Sequence, residues 1–325
     1  MPPGQIGIGS SAVKRYQVSM FEDLAERGFQ IEFHSHATAI LSVDFPDAIG
    51  ELETALGALS IPIEEIIGSG GGETKGTQRL RRALADLGWH KVNFTIDKSI
   101  NGVRRESISH EVDHVRTFPD GRVIALEIEW NNKDPFFDRD LENFKRLHAE
   151  GAISVGVIVT RGASLQNDMV QLVRRFAEER NFASADDLNA LGLTPTPRQR
   201  ADVTRRMRGG SVPFTDAWPQ SFVQDKYGAA TTHWRKLEDR VHRGVGNPCP
   251  LLLIGLPSSI VTFEHLDVEA IAEGDEAEIG GDAFESNLGT EDPSDDYDPD
   301  QELREAQALR AEQERNIKNW ENDQP

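Results

Sequence analysis

Three acidic residues near the middle of the chain have types and spacing that could support metal-dependent chemistry. Glu127 and Glu129 lie in a segment, 122–130, whose composition predicts a β-strand, and side chains two residues apart on a strand point to the same face. Asp113 lies on the preceding extended segment, across a predicted turn at 119–121. A hairpin of this length could bring all three carboxylates to one end of a sheet.

Clustered carboxylates repel one another unless a cation lies between them, and oxygen ligands favour a hard ion such as Mg²⁺. The neighbouring side chains include amides that can bond base edges and cations that can neutralise phosphates. These neighbours are Asn131, Asn132, Lys133, Arg139, Lys145 and Arg146. The combination suggests phosphodiester hydrolysis by a metal-activated water. A Glu-x-Glu strand can equally be the solvated face of an amphipathic sheet, so spacing alone leaves both interpretations open.

The elements around these acids predict an α/β or α+β domain in which helices flank a mixed central β-sheet. Extended segments are predicted at 91–97, 107–116, 122–130, 153–160 and 251–256. A further strand is predicted within 29–45, and helices are predicted at 47–59, 77–87, 137–150 and 165–180. The first three extended segments predict an antiparallel meander, and the segments that follow predict a β-helix-β unit.

The charge of the chain is unevenly distributed. Its 325 residues carry a net charge of −20, but residues 264–325 hold 21 acidic and 4 basic residues, which leaves residues 1–263 at only −3. We therefore predict a folded body over 1–263, an acidic disordered linker over 264–300 and a charged helix over 301–325. The acidic tail could compete with DNA for a basic cleft or could act only as a solubilising appendage.

Cysteine content and hydropathy exclude several classes of protein. Cys249 is the only cysteine, so neither a disulfide framework nor a cysteine zinc site can form within the chain. Residues 1–19 contain no continuous apolar signal region, and no segment approaches the roughly 18 apolar residues that would span a bilayer. We expect a cytoplasmic protein with no membrane partner.

Two further sets of residues have weaker patterns. Four histidines at strand spacing could bind zinc, although packed or solvated histidines explain them as well; they are His34, His36, His110 and His114. The glycine-rich segment 68–76 lacks the residue order of an ATP-binding loop, and we expect Thr74 or Thr77 to cap the helix that follows it. Glu73 in that segment could be an outer metal ligand or a solvated acid.

The motif around the acids resembles a known family. The segments HEVDH, ALEIEWNNKD and FFDRDLENF resemble those of the BglII and BstYI type restriction endonucleases, a branch of the PD-(D/E)xK nuclease superfamily. Three other segments resemble this group in the same order: IIGSGGGETKGTQRLRRALADLGWHK, SVGVIVTRG and NPCPLLLIGLP. The resemblance spans roughly Phe29 to Pro257, and it implies a restriction-endonuclease-like catalytic domain within residues 1–263.

The resemblance implies a homodimeric, Mg²⁺-dependent type II endonuclease that cuts double-stranded DNA at a short palindrome, for which relatives suggest a GATC centre. Asp113, Glu127 and the backbone carbonyl of Ile128 would bind the metal. Glu129 would occupy the third motif position, where many superfamily members have Lys, the nearest relatives tend to have Gln, and the more distant BamHI has Glu. Glu129 could therefore be a general base or a second-metal ligand. Lys133 could hold the scissile phosphate or be a solvated surface lysine.

The resemblance also indicates where DNA would be read. Asn132 falls where the family makes major-groove base contacts, and Asn131 is a weaker candidate; a turn or capping role remains open for both. The loop after the strand 153–160 is the second reading region, and its polar residues are Arg161, Ser164, Gln166 and Asn167. Arg139 and the basic run 198–208 could neutralise phosphates. A polar and aromatic stretch, 227–236, could also reach DNA.

Two other functions remain compatible with the sequence. One is a structure-selective nuclease of the same superfamily in repair or phage defence. The other is a DNA-binding regulator whose acid cluster is structural. If the chain is a restriction enzyme, we expect a cognate DNA methyltransferase, because an unaccompanied nuclease would cut its host.

Overall fold

The elements of the chain are taken from a computed structural model that describes residues 20–68 and 74–263, with the backbone alone at 104–108. The strands are β1 Gln30–His34, β2 Ile61–Pro62, β3 His90–Ile100, β4 Val103–Thr117, β5 Val123–Glu129, β6 Val155–Arg161, β7 Leu251–Leu256 and β8 Val261–Thr262. The helices are α1 Glu22–Glu26, α2 Ala37–Asp44, α3 Pro46–Gly57, α4 Ile63–Gly68, α5 Lys75–Asp86, α6 Phe136–Ala149, α7 Ala163–Glu179, α8 Ala185–Asn189, α9 Pro197–Arg206, α10 Phe214–Lys226 and α11 Trp234–His242. Glu73, the predicted linker and the predicted C-terminal helix lie outside the described residues.

The central sheet is mixed and has the strand order β1-β7-β6-β5-β4-β3. β5, β6 and β7 are parallel, whereas β3, β4 and β1 run antiparallel to their neighbours. One face of the sheet packs against α6 and α11, and the opposite face packs against the other large helices. The expected mixed α/β sheet flanked by helices is confirmed, and β6 and β7 are buried along their whole length, as their mainly apolar sequences require.

Strand β5 places alternate side chains on the two faces of the sheet. Ile124 and Leu126 pack into the larger core, and Ala125 packs on the opposite face with α6. Helix α6 presents an apolar stripe to this second face through Phe137, Leu141, Phe144 and Leu147, all completely buried. Because the alternation continues to the end of β5, Glu127 and Glu129 point toward α6.

The N-terminal strand is shorter than the predicted extended segment at 29–45. β1 ends at His34, and α2 begins at Ala37. Ser35 and His36 have φ values of 50° and 66°, which reverse the chain and end the strand. A composition of β-branched and aromatic residues did not reveal this turn, because neither Ser nor His marks a left-handed conformation as Gly would.

The predicted cap of α5 is present. The Thr74 side chain accepts a hydrogen bond from the amide of Thr77, and the helix ends before Gly88, whose φ is 92°. Leu80 and Leu84 are buried, as predicted from their helical spacing. Within residues 20–68 and 74–263, no helix combines the length and the apolar character needed to cross a membrane.

Candidate active site

Strands β4 and β5 bring two of the acids side by side. His114 pairs with Leu126 in antiparallel register, so the same register continued by one residue sets Asp113 opposite Glu127. Side chains of opposite residues lie on the same face of a sheet. The Thr160 hydroxyl donates a hydrogen bond of 2.7 Å to the Glu129 carbonyl, which holds the end of β5 against β6.

A fourth carboxylate, which sequence reasoning missed, comes from helix α6. Asp140 is 1% exposed, and its carboxylate faces those of the β5 glutamates. Within the described part of the chain its Oδ2 atom has no hydrogen-bond partner. A signal was present in the sequence: Asp140 lies three residues after Phe137 and four before Phe144, so it interrupts the apolar face of the helix.

The carboxylates destabilise one another's charged forms. Burial raises the pKa of Glu127 to about 9, and the charges of Asp140, Asp113 and Glu129 add to this shift. Burial and the Asp140 charge also raise the pKa of Glu129, while the hydrogen bond from Asn132 opposes that rise. Burial likewise raises the pKa of Asp140. The carboxylates of Glu127, Glu129 and Asp140 therefore cannot all be ionised together unless a cation offsets their charge.

Glu129 is held from two sides. The Asn132 side-chain amide donates to its Oε2 atom at 2.7 Å, and Arg139 Nη2 lies 3.6 Å from its Oε1 atom. Arg139 also donates from Nε to Asp140 Oδ1 at 2.8 Å. The Glu127 carboxylate, in contrast, has no hydrogen bond or ion pair with any described residue, although its backbone belongs to the β5–β6 ladder. A single arginine thus faces a group of three buried carboxylates.

The donor set fits a hard divalent cation. Three buried carboxylates, an unpartnered Asp140 oxygen and a Glu127 without a bonded partner supply oxygen ligands and unbalanced negative charge. Asp113 is the most separate member, because its side chain is half exposed and Lys91 Nζ lies 3.4 Å from its Oδ1 atom. The carboxylates of Asp113, Glu127 and Glu129 do not bring three ligand atoms within 4.8 Å of one another, and Asp113 would have to leave Lys91 to join the other two.

Four of the predicted DNA-contacting side chains are exposed. They are Asn132, Lys133, Arg139 and Asn167. The first two follow β5 within four residues of Glu129, and the Asn132 side chain bonds directly to the Glu129 carboxylate. The Arg139 guanidinium stacks over the Phe136 ring at 4.4 Å and keeps about half of its side chain exposed, at 55%. These side chains could meet a DNA backbone or base edge without rearrangement of the core.

Three further predicted side chains are bonded within the chain. The Asn131 side-chain amide donates to the Lys226 carbonyl at 3.1 Å, and the Gln166 side-chain amide donates to the Tyr227 carbonyl at 2.9 Å. The Ser164 hydroxyl accepts from the backbone amide of Ser258 at 3.2 Å. The prediction that Ser164, Gln166 and Asn167 lie in a loop is wrong. They lie in the first turns of α7, which begins almost directly after β6.

Arg161 is completely buried. Its guanidinium donates four hydrogen bonds of 2.6 to 2.8 Å and lies 5.0 Å from the centre of the Tyr227 ring. The acceptors are Trp130 O, Gln166 Oε1, Thr231 Oγ1 and Thr232 O. Burial lowers the pKa of Arg161 to about 10. Arg161 therefore ties the segment after β5 to the 227–236 stretch, and its predicted DNA contact would require this network to open.

The basic run 198–208 forms α9 and the turn after it, and several of its arginines are bonded within the chain. Arg206 donates to Asp202 at 2.6 Å, and Arg205 pairs with the same carboxylate. Arg200 donates to the Pro195 carbonyl at 2.8 Å. The Asp202 carboxylate therefore offsets part of the charge of Arg205 and Arg206, whereas the bond from Arg200 to a neutral carbonyl orients its side chain without neutralising it.

The four histidines do not form one zinc site. His34 lies on β1, and His110 and His114 lie on β4, with three strands between them. His114 is buried, both of its ring nitrogens lack partners among the described residues, and burial lowers its pKa to about 4. His110 Nε2 lies 2.7 Å from Arg146 Nη1.

Comparison with known proteins identifies a family. A family model described as "Restriction endonuclease BglII/BglIII" matches residues 29–256, which is most of the chain. The match begins one residue before β1 and ends at the last residue of β7, so it includes the whole central sheet and the acid cluster. A comparison with curated proteins gave no match.

Proposed function

The chain belongs to the BglII/BglIII family of restriction endonucleases, and from this membership we propose that it is a type II enzyme that uses Mg²⁺ to hydrolyse double-stranded DNA at a short palindrome. As a nuclease of this family it takes DNA as its substrate. The observation that carries the proposal is the group of carboxylates at the end of β5, on the adjacent part of β4 and on α6. Their burial and mutual repulsion make a divalent cation the natural means of keeping them ionised.

In the proposed mechanism Asp113, Glu127 and the Ile128 carbonyl would hold the ion. Bound Mg²⁺ supplies Lewis-acid chemistry, in that it favours deprotonation of water and offsets the charge that develops at phosphorus. Displacement of Lys91 from Asp113 would free this carboxylate for the site. Asp140, whose Oδ2 atom lacks a partner among the described residues, adds negative charge on the α6 side.

Glu129 is proposed to accept the proton of the attacking water. A base needs a fixed orientation and a pKa near the working pH. The Asn132 amide and Arg139 hold the carboxylate in one orientation, and burial raises its pKa above the ordinary value. The alternative role, as a ligand of a second metal ion, would use the same oxygen atoms.

Lys133 and Arg139 are proposed to hold DNA phosphates beside the carboxylates, because both are exposed within ten residues of Glu129. We also propose that two chains act as a homodimer, since a palindrome is read most simply by a two-fold symmetric protein. A GATC-centred site, a cytoplasmic location and a cognate methyltransferase are parts of the same proposal, and they follow from the family resemblance.

Digestion of a DNA of known sequence, with Mg²⁺ or with EDTA, tests the proposed function. We expect discrete fragments with Mg²⁺ and intact DNA with EDTA, and mapping of the ends would give the recognition sequence. A smear would favour the structure-selective nuclease. Intact DNA with Mg²⁺, together with tight binding, would favour a regulator whose acids are structural.

The stability of the metal-free protein is expected to fall as the pH rises. The pKa of Glu127 is raised to about 9 in the folded state, so this group contributes stability below its unfolded pKa and loses that contribution as the pH rises through 9. In EDTA, Tm should decrease from about pH 5 to about pH 9, and Mg²⁺ should restore much of the loss at the alkaline end. The Glu127→Gln variant should show a flatter Tm profile and a smaller response to Mg²⁺. Equal profiles for both proteins would contradict the assigned pKa.

Replacement of Asn132 tests how Glu129 is oriented. Asn132→Ala removes a hydrogen bond to a carboxylate, which is worth about 1.5 to 3 kcal/mol, so we expect cleavage to slow by about tenfold or more. Binding to DNA of unrelated sequence should remain unchanged, because phosphate contacts dominate it. An unchanged cleavage rate and site preference would refute both the positioning role and the predicted base contact.

A further inference from the structure

A second cluster of potential metal ligands lies at the opposite edge of the sheet from the β3–β4 hairpin. In the described part of the chain, only Glu32, Glu238 and His242 bring three such ligand atoms within 4.8 Å of one another. Glu32 belongs to the edge strand β1, and the other two belong to α11. The proposed catalytic function does not use any of these residues.

The fold explains why these side chains meet. Glu32 pairs with Leu253 of β7, and Leu253 lies on the sheet face that packs against Leu237 and Val241 of α11. Residues paired across antiparallel strands share a face, so Glu32 points toward α11. Glu238 and His242 are four residues apart on the helix and therefore lie on one side of it.

A fourth side chain supports the cluster. His34 follows Glu32 on the same strand face, and its Nε2 atom lies 3.1 Å from Glu32 Oε2. The His34 and His242 rings are 6.1 Å apart between centroids and meet edge to face. A hydrogen-bonded partner of this kind commonly orients a metal ligand.

The charge balance also favours a bound cation. Two carboxylates approach each other here, and within the described ranges no lysine or arginine forms an ion pair with Glu32 or Glu238. We propose that Glu32, Glu238 and His242 bind a divalent transition-metal ion of the Zn²⁺ type, with water in the fourth position. Mixed imidazole and carboxylate donors select such an ion over Mg²⁺.

The site needs only a small contraction. The ligand atoms of a tetrahedral Zn²⁺ ion lie about 3.4 Å from one another. The ligand atoms of Glu32, Glu238 and His242 lie within 4.8 Å of one another, so they would have to move only slightly closer. His242 is exposed, and Glu32 and Glu238 are partly exposed, so side-chain rotation can close the site and an ion can enter from solvent.

The bound ion would tie β1 to α11 and so fix a helix that contacts the catalytic region. At its other side, Lys236 pairs with Asp134 at 3.2 Å and Arg240 donates to Asp138 at 2.8 Å. Asp134 lies in the segment that joins β5 to α6, and Asp138 lies in the first turn of α6. The metal would thus stabilise the fold and would not take part in hydrolysis.

Cobalt spectroscopy on the full chain tests the proposal. After treatment with EDTA, titration with Co²⁺ should produce the intense visible absorption of a tetrahedral ion, and Zn²⁺ should abolish it. The absorption should persist in Glu127→Gln, which separates this site from the proposed catalytic one. It should disappear in His242→Ala and in Glu238→Gln, and Zn²⁺ affinity should fall at least about tenfold in each.

Two matched controls accompany these variants. Asp239→Asn removes an exposed carboxylate next to Glu238, and His36→Asn removes an exposed imidazole near His34 while keeping a residue that tolerates φ of 66°. Both should retain the absorption. Saturating Zn²⁺ should also raise the Tm of the wild-type chain by about 5 °C or more, but not that of His242→Ala. Only the weak absorption of octahedral Co²⁺, or equal spectra for wild type and His242→Ala, would overturn the proposal.

Discussion

Glu127→Gln is expected to lower the rate of DNA cleavage by about a thousandfold or more, because it removes a charged metal ligand whose ion supplies several kcal/mol of transition-state stabilisation. The amide has nearly the same shape as the carboxylate and avoids a buried charge, so the variant should fold. Its Tm in EDTA near pH 8 should equal or exceed that of the wild type, since the pKa of Glu127 is about 9. DNA binding should persist through the exposed side chains beside the site.

The measurement is a single-turnover cleavage assay combined with DNA-binding titrations and thermal unfolding. Glu142→Gln is a suitable control, because Glu142 lies on α6 near Asp140 but is partly exposed and, among the described residues, pairs only with Lys145, at 3.0 Å. The control should cleave at the wild-type rate. Wild-type turnover by Glu127→Gln would remove Glu127 from the proposed metal site and would leave the family assignment intact.

Arg161→Lys is expected to destabilise the protein strongly although it preserves the charge. Lysine cannot reach the four acceptors that the guanidinium bonds, and each buried acceptor left unpaired costs about 1 to 3 kcal/mol. We expect Tm to fall by roughly 5 to 10 °C. Arg175→Lys, at an exposed arginine that pairs with Glu179 at 2.7 Å, should change Tm very little.

The same pair of variants distinguishes a structural arginine from a DNA-reading one. If Arg161 acts only through its internal bonds, loss of stability should accompany any loss of activity, and DNA affinity at low temperature should remain near the wild-type value. An unchanged Tm with a large loss of site discrimination would instead support the predicted DNA contact and would show that the buried network opens on binding.

Local sequence patterns predicted most of the sheet and one half of the candidate site. Period-two alternation in 122–130 placed Glu127 and Glu129 on one face, and the turn at 119–121 brought Asp113 next to Glu127. The predicted segment at 251–256 agrees with β7 at both ends. These features depend on neighbouring residues along the chain or across a tight turn, so composition and spacing contain the necessary information.

Features formed by distant segments were not predictable in this way. Asp140 joins the β5 carboxylates only because α6 packs on the same face of the sheet. The end of β1 at His34 was missed for a different, local reason, because it depends on two left-handed residues, Ser35 and His36, that the composition does not mark. Arg161 is the last residue of β6, yet three of its four hydrogen-bond acceptors are supplied by residues about 30 and 70 positions away in the chain.

The sequence by itself determined the family, the mixed sheet and the acids of β4 and β5, because these follow from short segments with characteristic periods and order. The tertiary structure alone decided which carboxylates are buried together and which arginines and lysines are bonded within the chain. It also decided that the side chain of Glu32 lies close to those of Glu238 and His242. The physical reason is that burial and charge pairing are properties of three-dimensional neighbours. A residue's type sets what it can do, and its neighbours set its pKa and its free bonding capacity.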